Sequence, residues 1–123
     1  MTKEKGLLIG AIFMILGVGI GAFGAHSLKD ILFQYGTEQT FKTGVDYLFY
    51  NAIGILIISI IGKNNKYFNY SIFLLVIGIL LFSFSLFILS ITNIKEIGII
   101  TPFGGLAFIL GWIYFIINQK TKN

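Results

Sequence analysis

The sequence contains no cysteine and, among its nine cationic side chains, no arginine; it has one histidine, one proline and one tryptophan. Without cysteine there are no disulfides and no thiolate metal centres. The lysines are scattered, whereas a nucleic-acid footprint needs cations clustered on one face, so the net charge of +4 does not point to nucleic acid. His26 and Asp30, at i,i+4, supply two metal ligands where three or four are needed, so neither metal nor cofactor is expected. A hydrolytic triad needs a nucleophile, a base and a group that orients the base. One histidine and five carboxylates offer little for that purpose, so no catalytic residue is assigned and the chain is read as a non-enzyme. Charge itself is scarce: 11% of residues, against about 25% in an ordinary globular domain. A soluble domain of 123 residues would leave much of its surface apolar with so few charges, and a bilayer removes that difficulty.

What fills the chain instead is long apolar runs. Residues 7–25, 47–62, 67–94 and 97–119 carry no charge, and the second extends outward to Thr43 if Asp46 is admitted. About 20 apolar residues cross a bilayer as a helix. The runs are apolar on every side, unlike the one-sided pattern of soluble helices. The fold class expected is therefore all-α, one integral-membrane domain over residues 1–123, with four transmembrane helices at approximately 6–25, 43–62, 69–92 and 101–119. A secretory leader cleaved after Gly24 is the competing account of the first run. That run is long for a leader core, and three further segments commit the chain to the membrane. Six lysines (Lys3, Lys5, Lys63, Lys66, Lys120, Lys122) fall on one side of the four spans and three (Lys29, Lys42, Lys95) on the other. The excess marks the cytoplasmic side, so both termini are expected in the cytoplasm.

Residues 19–24, GIGAFG, match the Gly-x-Gly-x-x-Gly fingerprint of a dinucleotide-binding turn, and Asp46 stands 22 positions after Gly24. The surrounding glycines argue for a different role. On a helical wheel Gly6, Gly10, Gly17, Gly21 and Gly24 fall within an arc of about 60°, and only Gly19 lies away from it. A nucleotide loop gives no reason for such alignment. A membrane helix does, because small residues let a neighbouring backbone approach and dispersion contacts replace the hydrophobic drive that lipid cannot supply. Ser71, Gly78, Ser85 and Thr92 recur every seven residues, as do Gly104, Gly111 and Asn118 with Ala107 nearby. Such a repeat favours a left-handed bundle. The helix-packing positions are thus Gly10, Gly17, Gly21, Gly24, Gly78, Ser85, Gly104 and Gly111.

Between the first two spans, HSLKDILFQYG places Leu28, Ile31, Leu32 and Tyr35 on one face, with Ser27 expected to cap the start of a short interfacial helix and Gly36 to end it. Thr37 followed by Glu38 reads as the cap of the next helix, and Thr101-Pro102 as a cap with proline at the first helical position. A broken helix of the transporter kind is the alternative at Pro102. Ionisable groups facing a membrane interior are functional candidates by default. His26, Asp46, Tyr47, Tyr50 and Asn51 gather at the outer end of spans one and two, Asn51 about 7 Å deeper than Asp46. These five form the candidate polar, ion or headgroup site. Their ordinary reading is an aromatic belt, a Lys42–Asp46 pair and an interhelical amide.

The motifs GAFGAH (21–26), TGVDYLFYNAI (43–53), LFSFSLFIL (81–89) and ITPFGGLAFILGW (100–112) resemble, in the same order, the DUF 423 family of small bacterial membrane proteins. The resemblance spans nearly the whole chain. It implies a four-helix inner-membrane architecture and no established biochemical role. Members commonly carry histidine where this chain has Asn51 and glycine where it has Phe84, so a paired-histidine site across spans one and two is not expected here, and Phe84 should shift the contact around it. The functional expectation is a non-enzymatic accessory or interaction component whose partners are the lipid bilayer and a second copy of itself or another membrane protein. The alternative is a minimal transporter or channel with its polar site at the outer end of spans one and two.

Overall fold

A computed structural model describes residues 1–122. Helix α1 covers Lys3–Ala25, the short α2 Lys29–Tyr35 and α3 Glu38–Ile61. Helix α4, Lys66–Gly78, runs through a π turn, Ile79–Ser83, into α5, Phe84–Thr92. A 3₁₀ turn, Lys95–Ile99, leads into α6, Thr101–Lys120. The protein is all-helical, and four of its helical stretches, Lys3–Ala25, Glu38–Ile61, Lys66–Thr92 and Lys95–Lys120, are long and apolar enough to cross a membrane. In lipid every backbone N–H and C=O must find a partner within its own segment, which is why uninterrupted helix is the form such runs take.

The helix ends show where local chemistry acts. Thr2 Oγ1 accepts from Lys5 N at 3.2 Å and Asn65 Oδ1 from Tyr67 N at 3.0 Å, capping α1 and α4. Gly36 stops α2 in the left-handed conformation at φ 67°, and Thr37 N reaches back to Leu32 O at 3.0 Å. Three expected caps are absent. Leu28 rather than Ser27 stands at the start of α2, with no side-chain cap. Thr37 precedes α3, but its buried hydroxyl donates to Ser90 O at 2.7 Å, drawing α3 to α5. Thr101 lies inside α6 and its hydroxyl sits 2.6 Å from that of Ser85. In each case the side chain serves a tertiary bond or none, not the local helix end.

α1 packs along α3, α4 along α6, and α3 also packs on the π turn and α5. The core lies where α3 meets the third span, with Leu48, Ala52, Ile55, Ile58, Ile72, Leu75 and Ile79 all fully buried. The outer faces of α1 and α6 (Leu8, Ile15, Val18; Phe103, Ile109, Ile116) are exposed, as side chains directed at lipid would be.

The glycine stripe of α1 is the contact with α3. A Cβ on Gly10 would lie 2.7 Å from Leu56, one on Gly17 2.7 Å from Phe49, and one on Gly24 would meet the Phe41 ring. Gly19, off the stripe, has nothing within 4 Å, so the dinucleotide pattern there is a coincidence of spacing. Gly21 is looser than its neighbours, its nearest contact being Val45 at an ordinary 3.5 Å. On the other side of the bundle Gly78 faces Phe108, Gly104 faces the backbone of Leu81 and Phe82, and Gly111 faces Leu75. The seven-residue series ends at Ser85. Thr92 is exposed and bonds back to Ile88 O at 2.6 Å. The wide π turn rotates the helix beyond it, so Ser83, Phe87 and Ser90 take the inward positions. Phe84 stays half-buried, edge-on to Phe87 at 5.4 Å.

Candidate functional site

Asn51 is the deepest of the polar candidates and the best held. Its side chain is 4% exposed in the middle of α3. The amide nitrogen donates to Tyr47 O at 2.9 Å, and the oxygen accepts the indole N–H of Trp112 at 3.0 Å. Trp112 reaches across from α6 because Gly54, one turn below Asn51, leaves a notch: a Cβ there would stand 2.5 Å from the indole ring. A buried tryptophan N–H needs a partner, and a buried amide is costly unpaired, so the two polar groups solve each other's problem.

Tyr47 and Tyr50 flank that bridge with rings 5.7 Å apart. Tyr47 packs on Phe82 at 4.7 Å and Phe108 at 6.3 Å. Of the candidates along this part of α3, only Asn51 is turned into the bundle. Tyr47 is 41% and Tyr50 62% exposed, on the side of α3 that faces the gap before α6. The result is an outward groove of about 460 Å³, its walls formed by the two tyrosines and by Phe108, Ile109 and Ile116 of α6.

The remaining candidates lie elsewhere. Asp46 Oδ2 accepts from Lys42 Nζ at 2.7 Å, an exposed i,i+4 pair worth little in water-facing surroundings. His26 is exposed, and its recorded role is through the backbone: its N–H closes the last turn of α1 on Ala22 O at 3.1 Å. Among the described residues no hydrogen bond or ion pair joins His26 to Asp46, Tyr47, Tyr50 or Asn51. The five residues therefore form three separate features instead of one constellation. Nor do three histidine or acidic side chains converge in a metal-binding group among the described residues.

Trp112 is the residue that the sequence reading did not single out. The signal was available: one tryptophan in an apolar helix, and an asparagine and a glycine at matching depth on another. At the opposite end Asn118, assigned only to the packing seam, is fully buried. It accepts from Lys63 N at 3.0 Å and donates to Lys63 O at 3.0 Å and Asn65 Oδ1 at 2.8 Å. Lys63 Nζ meanwhile caps Gln119 O at 2.7 Å and Thr121 O at 2.9 Å, the free carbonyls at the end of α6. This end is a clamp between the α3–α4 loop and the C-terminus of the last helix.

An all-helical chain with four candidate spans and small-residue seams is a polytopic membrane protein in class. The model of a protein family of unknown function, DUF423, matches residues 20–105. Among relatives, a UPF0382 membrane protein of Staphylococcus haemolyticus is 40% identical over 113 residues, covering 91% of this chain and 92% of the relative. UPF0382 membrane protein YwdK of Bacillus subtilis is 41% identical over 115 residues, covering 90% and 92%. The chain belongs to the DUF423 family of membrane proteins. No solved structure matches it.

Proposed function

We propose that this chain is a non-enzymatic accessory or interaction component of the bacterial cytoplasmic membrane, with both termini in the cytoplasm. The observation that supports it is the self-satisfaction of the polar groups at the outer end of α3. Asn51 is closed on Trp112 and Tyr47, and Asp46 on Lys42, so neither is left unpaired for a substrate at this end of α3. Below Asn51 the bundle interior is filled by Ile55 and Ile58, both fully buried, which opposes a continuous polar path to Lys63 and Lys66. On this reading the partners are the bilayer and, through the outward faces of α1 and α6, a second copy of the chain or another membrane protein. The orientation follows the lysine excess. Lys3 Nζ bonds Ile60 O at 3.0 Å and Lys63 Nζ bonds Gln119 O, which gathers the lysine-rich segments at one end of the bundle.

Reconstituted in liposomes holding a pH-sensitive dye, the protein should pass no protons or potassium above the protein-free background. A flux that Asp46→Asn or His26→Ala removes would replace this reading with the transporter. Because the chain has no cysteine, single substitutions report topology directly. Lys95→Cys should react with a membrane-impermeant maleimide on intact cells and Lys122→Cys only after lysis; the reverse pattern inverts the orientation.

A further inference from the structure

From the geometry of the outer end we infer that the hollow between α1, α2 and the start of α3 is a binding site for a phospholipid whose headgroup carries a primary ammonium. The cavity holds about 320 Å³, at the lower end of small-ligand sites. Its floor is made by Gly21, Gly24 and Val45, its side by the buried rings and methyls of Phe41 and Leu32, and its rim by Lys29, Glu38 and Lys42.

The hollow exists for a reason visible in the helix seam. A Cβ on Gly17 or Gly24 would collide with α3 side chains, whereas one on Gly21 would find its nearest neighbour, Val45, at an ordinary 3.5 Å, so the seam is looser there. α2 folds back beside this gap on its buried Leu32. From Lys42 down to Val45 is three residues, about 4.5 Å along the helix. Over that depth the lining changes from ammonium and carboxylate to glycine and valine. The same change occurs in a bilayer between the phosphate level and the first carbons of the acyl chains.

The rim carries both signs. Lys29 and Glu38 have no ion pair among the described residues, and Lys42 is held by Asp46. Lys29 and Lys42 suit the phosphate, by charge-assisted hydrogen bonds from their ammonium groups. Glu38 suits a donor carrying N–H bonds and a positive charge. A phosphoethanolamine headgroup offers both. A choline headgroup keeps the charge but has no N–H, and a glycerol headgroup lacks the charge. The inference adds a specific ligand to the proposed interaction role and leaves the flux experiment untouched, so the two fail independently.

The test is native mass spectrometry of the purified chain equilibrated with equal amounts of phosphatidylethanolamine, phosphatidylglycerol and phosphatidylcholine. One phosphatidylethanolamine should be retained about tenfold over phosphatidylcholine, the worth of one charge-assisted hydrogen bond. Glu38→Gln should remove that preference while keeping phosphatidylglycerol, and Lys29→Ala should lower retention of both several-fold. Both side chains are exposed, so their loss spares the core, and an unchanged melting temperature verifies this. Equal retention of phosphatidylcholine by the unaltered chain would overturn the inference. So would a preference for phosphatidylglycerol, or a lipid profile that neither substitution moves.

Discussion

The α1–α3 and α4–α6 interfaces are both built on small residues, yet different atoms close them. Along α1 three glycines receive a large side chain from α3: Leu56 at Gly10, Phe49 at Gly17, Phe41 at Gly24. Between the third span and α6 the backbones themselves approach. Gly104 lies against Phe82 N and Leu81 C, and Gly111 is close enough for Ser71 Oγ to donate to its carbonyl at 2.8 Å. Ser85 and Thr101 add a second hydroxyl contact there. The first interface is thus mainly a row of apolar knobs held by dispersion; the second has such knobs at Gly78 and Gly111 and adds a backbone contact at Gly104 and interhelical hydrogen bonds. Flexible side chains yield when crowded and backbone does not, so the two interfaces should differ in tolerance even where the glycines look alike in sequence.

Four substitutions test that difference, each read as the free energy of unfolding in mixed micelles with a rising fraction of denaturing detergent. Gly104→Leu should cost most, about 3 kcal/mol or loss of the fold, because its side chain meets main-chain atoms. Gly17→Leu should cost about 2 kcal/mol, since the Phe49 ring can turn aside; equal costs at the two sites would erase the contrast between the interfaces. Ser71→Ala removes one interhelical hydrogen bond and should cost about 1 kcal/mol. No loss there would leave the second interface steric as well. Gly21→Ala should shift stability by no more than about 0.5 kcal/mol, because the added methyl finds ordinary contact distance and alanine favours helix. A large loss at Gly21 would close the hollow beneath the proposed headgroup and weaken both arguments.

The candidate site was far less legible than the fold. His26 and Asp46 both belong to the outer half of the bundle, but α1 and α3 run antiparallel with Gly24 against Phe41 and Gly21 against Val45, so Asp46 lies several residues deeper than His26 and no bond joins them. Tyr47 and Tyr50 share a face with Asn51, yet both are exposed, lining the groove between α3 and α6. Capping failed as a guide at Ser27, Thr37 and Thr101 for a related reason. The hydroxyls of Thr37 and Thr101 each have a competing use that depends on which chain segment lies across from them, as Ser90 O does for Thr37, while Ser27 stands one position short of the cap. The π turn escaped notice because the apolar run around Leu80 and Leu81 reads as ordinary helix, and its consequence was to turn Thr92 out of the seam.

Composition alone determined that this chain lives in lipid as helices: runs of about 20 uncharged residues satisfy their backbone only by coiling on themselves where no water reaches. Glycine spacing further determined which face of each helix makes contact, since a missing Cβ is a property of the residue and its phase on the helix. What fills each gap was left to the tertiary structure. A notch such as Gly54 accepts any large side chain that reaches it, and only the simultaneous packing of all four spans sets Trp112 there, with its N–H on Asn51.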